Sequence, residues 1–249
     1  DPVSEPSRPA VVTGASRGFG RAIAAALVRA GTPVVGLARD EGRLRALHDE
    51  LGAEFVPLVG DATDEDLAAT VLAEHRPALL VLNAGAAPAM APIQEQTWES
   101  FGRPWEVDTR HVFGWTKAAL TTPLAPGGLV VALSSGAALA GSPLSGGYAG
   151  AKAAIRFVAR YAAEESTRAG LGLRFTTLLP RLTPATDLGG AAAAAYAARA
   201  GVDPDTFAAR LAPALTPEQV AKAVVGLASD PTPPAAEYQL DATGLHPLD

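Results

Sequence analysis

Tyr148 and Lys152 are the residues of this chain whose types and spacing most directly suggest chemistry, because they lie four positions apart. On an α-helix, residues i and i+4 share one face, so the phenol and the ammonium can converge on one point. A nearby cation favours the phenolate form of a tyrosine, which can then act as a general acid or base. The alternative interpretation is a surface tyrosine that covers the aliphatic stem of a lysine.

Ser135 stands thirteen positions before Tyr148, directly after an aliphatic run and a second serine. The run Leu129–Leu133 predicts a buried strand with a polar end. Since ligands bind at the carboxyl ends of strands in open α/β sheets, Ser135 is expected at the mouth of a site. Serines in turns and helix caps are common, and Ser134 competes for the same role. Only the spacing to Tyr148 favours Ser135.

A glycine-rich turn near the start of the chain indicates a phosphate-binding element. The apolar run Ala10–Thr13 predicts a strand, glycines follow at Gly14, Gly18 and Gly20, and residues 21–30 predict a helix. In this order, glycines let the backbone approach a pyrophosphate, and the helix N-terminus supplies oriented N–H groups. The alternative is a glycine-rich turn that binds no ligand.

Together these residues resemble the short-chain dehydrogenase/reductase family, over about residues 9–180 and more loosely to the end. Residues 13–20 are similar to the family's T-G-x-x-x-G-x-G turn, and residues 83–85 to its N-A-G motif. Ser135, Tyr148 and Lys152 match its active-site residues in order and spacing. Asp61 and Ala62 stand where the family places an aspartate against the adenine, although Asp61 could instead be a turn residue before a helix.

The resemblance implies an α/β fold, namely a Rossmann-like doubly wound parallel sheet with helices on both faces, in a single domain. It also implies a bound nicotinamide dinucleotide. The residues it implies for cofactor contact are Gly14, Ser16, Arg17, Gly18, Phe19, Gly20, Arg39, Asp61, Ala62, Asn83, Ala84, Gly85, Tyr148, Lys152, Pro180 and Thr183.

The cofactor predicted is NADP(H), in preference to NAD(H). An NAD enzyme places an acid at the end of the second strand, where this chain has Ala38 followed by Arg39. A guanidinium can bind a dianionic 2′-phosphate through two hydrogen bonds, and Arg17 would supply a second cation. Asp40 and Glu41 argue the other way, but they lie past the expected strand end. The alternative for both arginines is a solvated surface charge.

The resemblance also implies the roles of the active-site residues. Tyr148 gives its proton to a carbonyl oxygen during reduction, Ser135 hydrogen-bonds that oxygen, and Lys152 holds the nicotinamide ribose. Asp108, a fourth candidate, stands where the family often has an asparagine. An ionised aspartate only accepts hydrogen bonds, and it would raise the pKa of Lys152 if its carboxylate were near.

Two further departures from the family pattern follow the sixth expected strand. The family's Pro-Gly reads Pro180-Arg181 here, and Arg181 is expected to point to solvent or to pair within the next segment. The threonine that usually comes next could be Thr183 or Thr186.

Strand-like and helix-like segments alternate along the chain, which predicts a parallel sheet with helices on both faces. Strands are expected at residues 33–37, 54–59, 78–82, 129–133 and 174–179, and helices at 41–51, 64–75, 98–120 and 148–169. The Pro-punctuated stretch 182–213 follows the last of these strands, so it predicts a substrate lid. The alternative is a peripheral helical insertion.

Composition excludes several classes of function. The 249 residues are 48% hydrophobic, which fits one folded domain and excludes disorder by composition. With no cysteine there are no disulfides or thiolate sites, and the four histidines lack ligand spacing, so no metal is predicted.

The net charge of -6 argues against nucleic acid as a partner. Residues 1–9 resemble no signal peptide and no run could span a bilayer, so we expect a cytoplasmic protein with no membrane partner. The family resemblance implies a homodimer or homotetramer.

The residues expected to face the substrate are mostly apolar, which favours a small hydrophobic ketone or secondary alcohol. They are Ala137, Leu139, Pro143 and Leu144, with Met90, Trp115 and Tyr196 as looser candidates. Several of them could instead belong to the core or to a subunit interface. Two other classes of function remain open on the same fold: a non-catalytic dinucleotide-binding regulator, and a lyase, isomerase or cyclase without net redox chemistry.

Overall fold

The structure is a computed structural model that describes residues 8–122 and 124–248. Most of the N-terminal segment, on which the expectation of no signal peptide depends, lies outside the described residues. Within them, no helix combines the length and apolarity needed to cross a membrane.

The strands of the described residues form one sheet. They are β1 (Ala10–Thr13), β2 (Val34–Ala38), β3 (Phe55–Val59), β4 (Leu79–Leu82), β5 (Leu129–Leu133), β6 (Arg174–Pro180), β7 (Glu237–Asp241) and β8 (Gly244–Pro247). Their spatial order is β3-β2-β1-β4-β5-β6-β7-β8. All neighbouring pairs are parallel except β7 and β8, which a two-residue turn joins as an antiparallel hairpin.

Ten α-helices of the described residues surround this sheet. They are α1 (Gly18–Arg29), α2 (Glu41–Leu51), α3 (Glu65–His75), α4 (Trp98–Pro104), α5 (Arg110–Thr121), α6 (Ala137–Ala140), α7 (Gly146–Arg168), α8 (Asp187–Ala200), α9 (Pro204–Ala209) and α10 (Pro217–Ser229). A π-helical segment, Trp105–Thr109, connects α4 to α5. Short 3₁₀ turns lie at Gly52–Glu54 and Ile93–Glu95.

Two hydrophobic cores lie on opposite faces of the sheet, because the side chains of the strands alternate between the faces. One core joins the sheet to α1, α2 and α10, with Ile23 and Val224 among its members. The other joins it to α3, α5 and α7, with Leu72, Trp115 and Ile155 among its members. A mostly parallel sheet with helices on both faces confirms the predicted fold class.

The six predicted strands begin and end within one residue of the observed bounds, and the prediction for α2 matches its observed bounds. The helix predicted over residues 98–120 matches the observed extent within one residue, but a π-helical segment that was not predicted separates α4 from α5 within it. Pro104 ends α4, since a proline has no N–H to donate and its ring crowds the preceding turn. The C-terminal elements α10, β7 and β8 were not among the predicted elements.

Candidate active site

The carboxyl ends of the central strands bring the predicted site residues to one edge of the sheet. β1 lies between β2 and β4, so the strand order reverses there and opens a crevice at the ends of the strands. Gly14 follows β1, Asn83 follows β4, and Ser134 follows β5. The glycine turn, the N-A-G turn and the serine pair therefore line the same edge.

The glycine turn has the geometry that a pyrophosphate site needs. Gly14 has a φ of 68°, and a Cβ at this position would lie 2.8 Å from Asn83 Nδ2. A Cβ at Gly20 would lie 2.1 Å from the Gly14 carbonyl oxygen, so only glycine fits there. Arg17 is the N-cap of α1 but makes no side-chain cap, and the first turn of α1 holds no acidic residue. The N-terminal N–H groups of α1 thus fit the phosphates of a dinucleotide.

The N-A-G turn is fastened directly to the glycine turn. Asn83 Nδ2 donates to the carbonyl oxygens of Thr13 and Gly14, at 3.1 and 3.2 Å. Thr13 Oγ1 accepts the N–H groups of Asn83 and Ala84, at 3.0 and 3.2 Å. These hydrogen bonds make the two turns one unit, so Asn83 braces the turn that would hold the cofactor.

His111 completes this unit, and the sequence analysis missed it. Its Nε2 lies 2.9 Å from Thr13 Oγ1, and its side chain is fully buried in the first turn of α5. Its Nδ1 makes no hydrogen bond to the described residues. Burial and then the charge of Lys152 lower the pKa of His111 from 6.5 to about 3. His111 is therefore neutral at physiological pH, and a lone histidine in a helical pattern gives no signal of this contact.

The two serines after β5 have different environments. Ser134 is buried, and its Oγ donates to the Lys152 carbonyl at 2.7 Å, so this hydroxyl is committed to holding α7. Ser135 is half-buried, and its Oγ accepts the Ala137 N–H at 3.2 Å. The Ser135 hydroxyl therefore keeps its proton free to donate, which favours Ser135 over Ser134 as the serine of the site.

Tyr148 and Lys152 lie on the same face of α7, as their spacing predicts. Lys152 Nζ is 5.5 Å from the centre of the Tyr148 ring and donates to the Leu133 carbonyl at 3.1 Å. Asp108 Oδ2 lies 3.1 Å from the same Nζ. Burial disfavours the Lys152 ammonium, but Asp108 and then Tyr148 outweigh it, so the pKa of Lys152 is raised. A raised pKa of Lys152 is the direction expected for a nearby Asp108 carboxylate.

Close packing between helices brings Asp108 to Lys152. A Cβ at Gly147 would lie 2.1 Å from the Phe101 carbonyl oxygen, and one at Gly150 would lie 3.1 Å from the Trp105 ring. Small residues therefore let α4 and the π-helical segment approach the first turns of α7. Thr109 Oγ1 adds a hydrogen bond of 3.2 Å to the Ala151 carbonyl. π-Helical turns often occur at functional sites, and this one directs Asp108 inward.

Comparison with known proteins decides the family. The family model described as short chain dehydrogenase matches residues 8–197. The chain belongs to this family. Its members are oxidoreductases that bind a nicotinamide dinucleotide and act on small molecules.

Individual relatives cover different shares of the chain. The cis-4-hydroxycyclohexanecarboxylate dehydrogenase of Sinomonas cyclohexanicum is 35% identical over 90% of this chain and 90% of that protein. A short chain dehydrogenase of Pseudocercospora fijiensis is 33% identical, and the match spans 59% of this chain but only half of the relative. The solved alcohol dehydrogenase of Thermococcus sibiricus, complexed with 5-hydroxy-NADP, superposes with a TM-score of 0.76 at 27% identity. That superposition covers 98% of this chain and 100% of the archaeal one.

Arg17, Arg39 and Asp61, which the family resemblance assigns to the cofactor, are all exposed. Asp61 accepts the N–H and the hydroxyl of Thr63, both at 2.9 Å. The Thr63 N–H is the largest cause of a lowered pKa of Asp61, and the charges of Arg39 and Arg103 act in the same direction. Asp64, not Asp61, caps α3. Asp61 is thus a turn residue before α3, and its contact with the adenine stays a prediction.

Thr183 and Trp115 are both buried in the described residues. The Thr183 hydroxyl donates to the Leu215 carbonyl, and its contact with the cofactor stays a prediction. Thr186 lies nearer the glycine turn, since its methyl group is 3.8 Å from a Cβ built at Gly18. The prediction that Trp115 faces the substrate is wrong: the ring is fully buried in a core, and its Nε1 donates to the Ala62 carbonyl at 2.9 Å.

Other predicted site residues differ in how far they are exposed. Phe19 packs partly buried against the core beside α1. The buried Pro180 accepts the Gly136 N–H at 2.9 Å, which links the ends of β5 and β6. Arg181 is exposed, as expected. Among the remaining candidates, Leu144 is buried, Leu139 and Pro143 are exposed, and Ser16, Ala62, Met90, Ala137 and Tyr196 are half-buried.

The stretch predicted as a lid contains α8 and α9. Tyr196 of α8 stacks on Phe207 of α9, with ring centres 6.2 Å apart. The Tyr196 hydroxyl also hydrogen-bonds Ser142 Oγ, in the loop that leads into α7. Ser142 Oγ in turn accepts the hydroxyl of Ser145, the N-cap of α7, at 2.7 Å. These contacts place α8 beside the loop between Ser135 and Tyr148.

Proposed function

We propose that the chain is an NADP(H)-dependent oxidoreductase that reduces a carbonyl group, in particular a ketone, of a small hydrophobic substrate, or oxidises the matching secondary alcohol. Tyr148 is its general acid/base. The observation that carries this proposal is the position of the Lys152 ammonium, 5.5 Å from the Tyr148 ring and anchored on the Leu133 carbonyl of β5. Ser135 follows the end of the same strand by two residues, which supports a role for its hydroxyl beside Tyr148.

Each of these residues has a distinct part in the reaction. When bound, the nicotinamide supplies or accepts a hydride. Tyr148 gives its hydroxyl proton to the substrate oxygen during reduction and takes it back during oxidation. Ser135 donates a hydrogen bond to that oxygen and stabilises the charge that develops on it. Lys152 stabilises the phenolate that remains after the proton has moved. Residues 182–213 act in this proposal as the lid that excludes water.

The preference for NADP(H) is supported by charge at the end of β2. Arg39 follows Ala38 at the position where an acid would bind the ribose hydroxyls of NAD, and it is exposed beside the crevice with Arg17. The archaeal alcohol dehydrogenase with the same fold was solved with an NADP derivative. A planar guanidinium at this position can bind a phosphate through two hydrogen bonds, whereas a carboxylate at the same position would repel it.

The function is tested by NADPH consumption on a panel of apolar and aromatic ketones, with wild type and Tyr148→Phe compared. We expect turnover in wild type and a loss of at least about 10²-fold in the variant, since a general acid contributes that much. NADPH binding, followed by its fluorescence, should persist. Retained turnover in Tyr148→Phe would exclude this residue as the acid.

The cofactor preference is tested by Arg39→Asp. We expect NADPH affinity to fall by at least about tenfold and NADH affinity to change little, because only NADPH carries the 2′-phosphate. Arg43→Asp is a matched control, since Arg43 is an exposed arginine that pairs with Asp40 at 3.4 Å in the first turn of α2. Equal losses in both variants would show a general charge effect and contradict the assignment.

A further inference from the structure

Asp108 lies where two hydrogen-bond donors meet inside the protein. Its Oδ1 accepts the Ala86 N–H at 2.8 Å, and its Oδ2 lies 3.1 Å from Lys152 Nζ. The side chains of Asp108 and Lys152 are 1% and 6% exposed. Both carboxylate oxygens therefore face donors, and solvent screens the two charges little.

This position suits an ionised carboxylate and not an amide. An asparagine has one acceptor oxygen and one NH₂ group, so one of the two donors would face another donor. The carboxylate also packs on the N-A-G turn, because a Cβ at Gly85 would lie 2.8 Å from Asp108 Oδ2. The surroundings of Asp108 thus fix a negative charge next to Lys152.

We propose, on the basis of the proposed function, that Asp108 is a positioning residue: its carboxylate binds the Lys152 ammonium and offsets the charge of that ammonium at Tyr148, so that the phenol, the form that donates a proton to a carbonyl, is favoured over the phenolate. An ammonium near the ring favours the phenolate, and a carboxylate on that ammonium opposes the effect. Asp108 and the Leu133 carbonyl together also fix where Nζ lies, since they bind it at 3.1 Å each.

The other ionisable group near this pair does not disturb the balance. Asp108 faces Lys152 from the π-helical segment, Tyr148 faces it from one turn earlier on α7, and His111 acts on it from α5. His111 has a pKa of about 3 and is neutral at the pH values concerned. In the described residues, the groups that raise the pKa of Lys152 are therefore Asp108 and then Tyr148.

The step that depends on the protonated form of Tyr148 is proton donation to the substrate oxygen. As hydride reaches the carbonyl carbon, the electrons of the C=O π bond move to the oxygen, which takes the hydroxyl proton of Tyr148. The product is an alcohol, and the phenolate regains a proton from solvent. A phenol that stays protonated to higher pH extends the pH range of this reduction.

The test follows phenolate absorbance against pH in the protein without substrate. Because the chain has four tyrosines, the difference between wild type and Tyr148→Phe isolates Tyr148. The same difference is taken in the Asp108→Asn background. We expect the Tyr148 midpoint to lie lower in Asp108→Asn than in wild type, because the Lys152 ammonium then favours the phenolate without an opposing charge. The alkaline limb of kcat/KM for ketone reduction should move by the same amount.

Glu65→Gln provides the matched control. Glu65 Oε2 lies 3.0 Å from Lys117 Nζ, but the two side chains are 41% and 58% exposed. The substitution removes one negative charge from a carboxylate–lysine pair on the surface, so the Tyr148 midpoint should not move. An unmoved midpoint in folded Asp108→Asn, or the same shift in Glu65→Gln, would overturn the proposal.

A second variant, Asp108→Ser, keeps the proposal decidable if Asp108→Asn does not fold. It removes the charge with a smaller side chain and carries the same expected shift. Because the titration uses no substrate, a shifted midpoint without turnover on any ketone would contradict the proposed function and leave the role of Asp108 standing.

Discussion

Two buried carboxylates meet the same face of α7 and are used differently. Lys152, Arg156 and Arg160 follow one another at intervals of four, so all three cations lie on one face of the helix. Lys152 pairs with Asp108, whereas Arg156 and Arg160 both pair with Glu237. The side chains of both carboxylates are 1% exposed.

The surroundings of each pair explain the difference. Arg156 donates to Glu237 Oε2 through Nε at 3.0 Å and through a terminal nitrogen at 2.6 Å. Arg160 lies 3.0 Å from Oε1, although Oε1 accepts no hydrogen bond in the described residues. These contacts join α7 to β7 and involve no tyrosine and no cofactor turn. Asp108 instead shares one ammonium with Tyr148 and holds the N-A-G turn. A buried ion pair thus joins α7 to β7 at one end of this row of cations, whereas the pair at the other end lies beside the proposed proton donor.

The comparison is tested most strongly by substituting methionine for each cation. Lys152→Met should lose about 10²- to 10⁴-fold in turnover, because the phenolate left by Tyr148 loses its counter-charge. Arg156→Met should retain turnover within about threefold per folded molecule, because its partner Glu237 lies outside the site. A larger loss of turnover would be expected only for a group that acts on the transferred proton. The measurement is kcat/KM at equal concentrations of folded protein. Equal losses would mean that activity follows stability and would remove the distinction.

The local parts of this site are predictable from sequence, whereas its long-range contacts are not. The glycine turn depends on residues within one strand–helix connection, and Tyr148 and Lys152 meet because an α-helix brings i and i+4 together. The contact of Asp108 with Lys152 depends on how a π-helical segment packs on α7. Its one local signal is Pro104, which marks the end of a helix but not the direction of the next side chain.

The surroundings of Trp115 and of His111 are also not predictable from the local sequence. Trp115 fits both a pocket and a core, since an apolar residue on an amphipathic helix satisfies either, and only packing decides. His111 and Thr13 are 98 positions apart, so no local pattern connects them. The C-terminal hairpin is short, and its position at the sheet edge follows from the pairing of β7 with β6.

A second prediction concerns the structural pair. Glu237→Gln should lower the free energy of unfolding by about 3 kcal/mol, because the partly buried Arg156 loses its partner charge. Turnover per folded molecule and NADPH affinity should not change. The measurement is urea denaturation, with Glu165→Gln as control, since Glu165 pairs with Arg168 on the exposed side of the same helix. A stability loss no larger than that of the control would show that Glu237 does not fasten α7 to the sheet.

The smallest expected effect is the pH dependence of stability that His111 causes. Unlike the paired buried charges of α7, His111 is a buried base that stays neutral. The pKa of His111 falls from 6.5 to about 3 on folding, first through burial and then through the Lys152 charge. Well above its unfolded pKa the imidazole is neutral in both folded and unfolded chains and contributes no pH dependence. Below that pKa the unfolded chain binds the proton first, so stability decreases as the pH falls, until the folded pKa is reached.

Between pH 7 and pH 5 this linkage amounts to about 2 kcal/mol. His111→Gln keeps a polar group near Thr13 but cannot bind the proton, so its free energy of unfolding should fall less over the same interval. The difference between the two urea-denaturation series isolates His111, because the other histidines and the carboxylates are common to both proteins. Parallel series would mean that His111 gains its proton within the fold, which would add a positive charge beside Lys152 and change the balance that Asp108 is proposed to set.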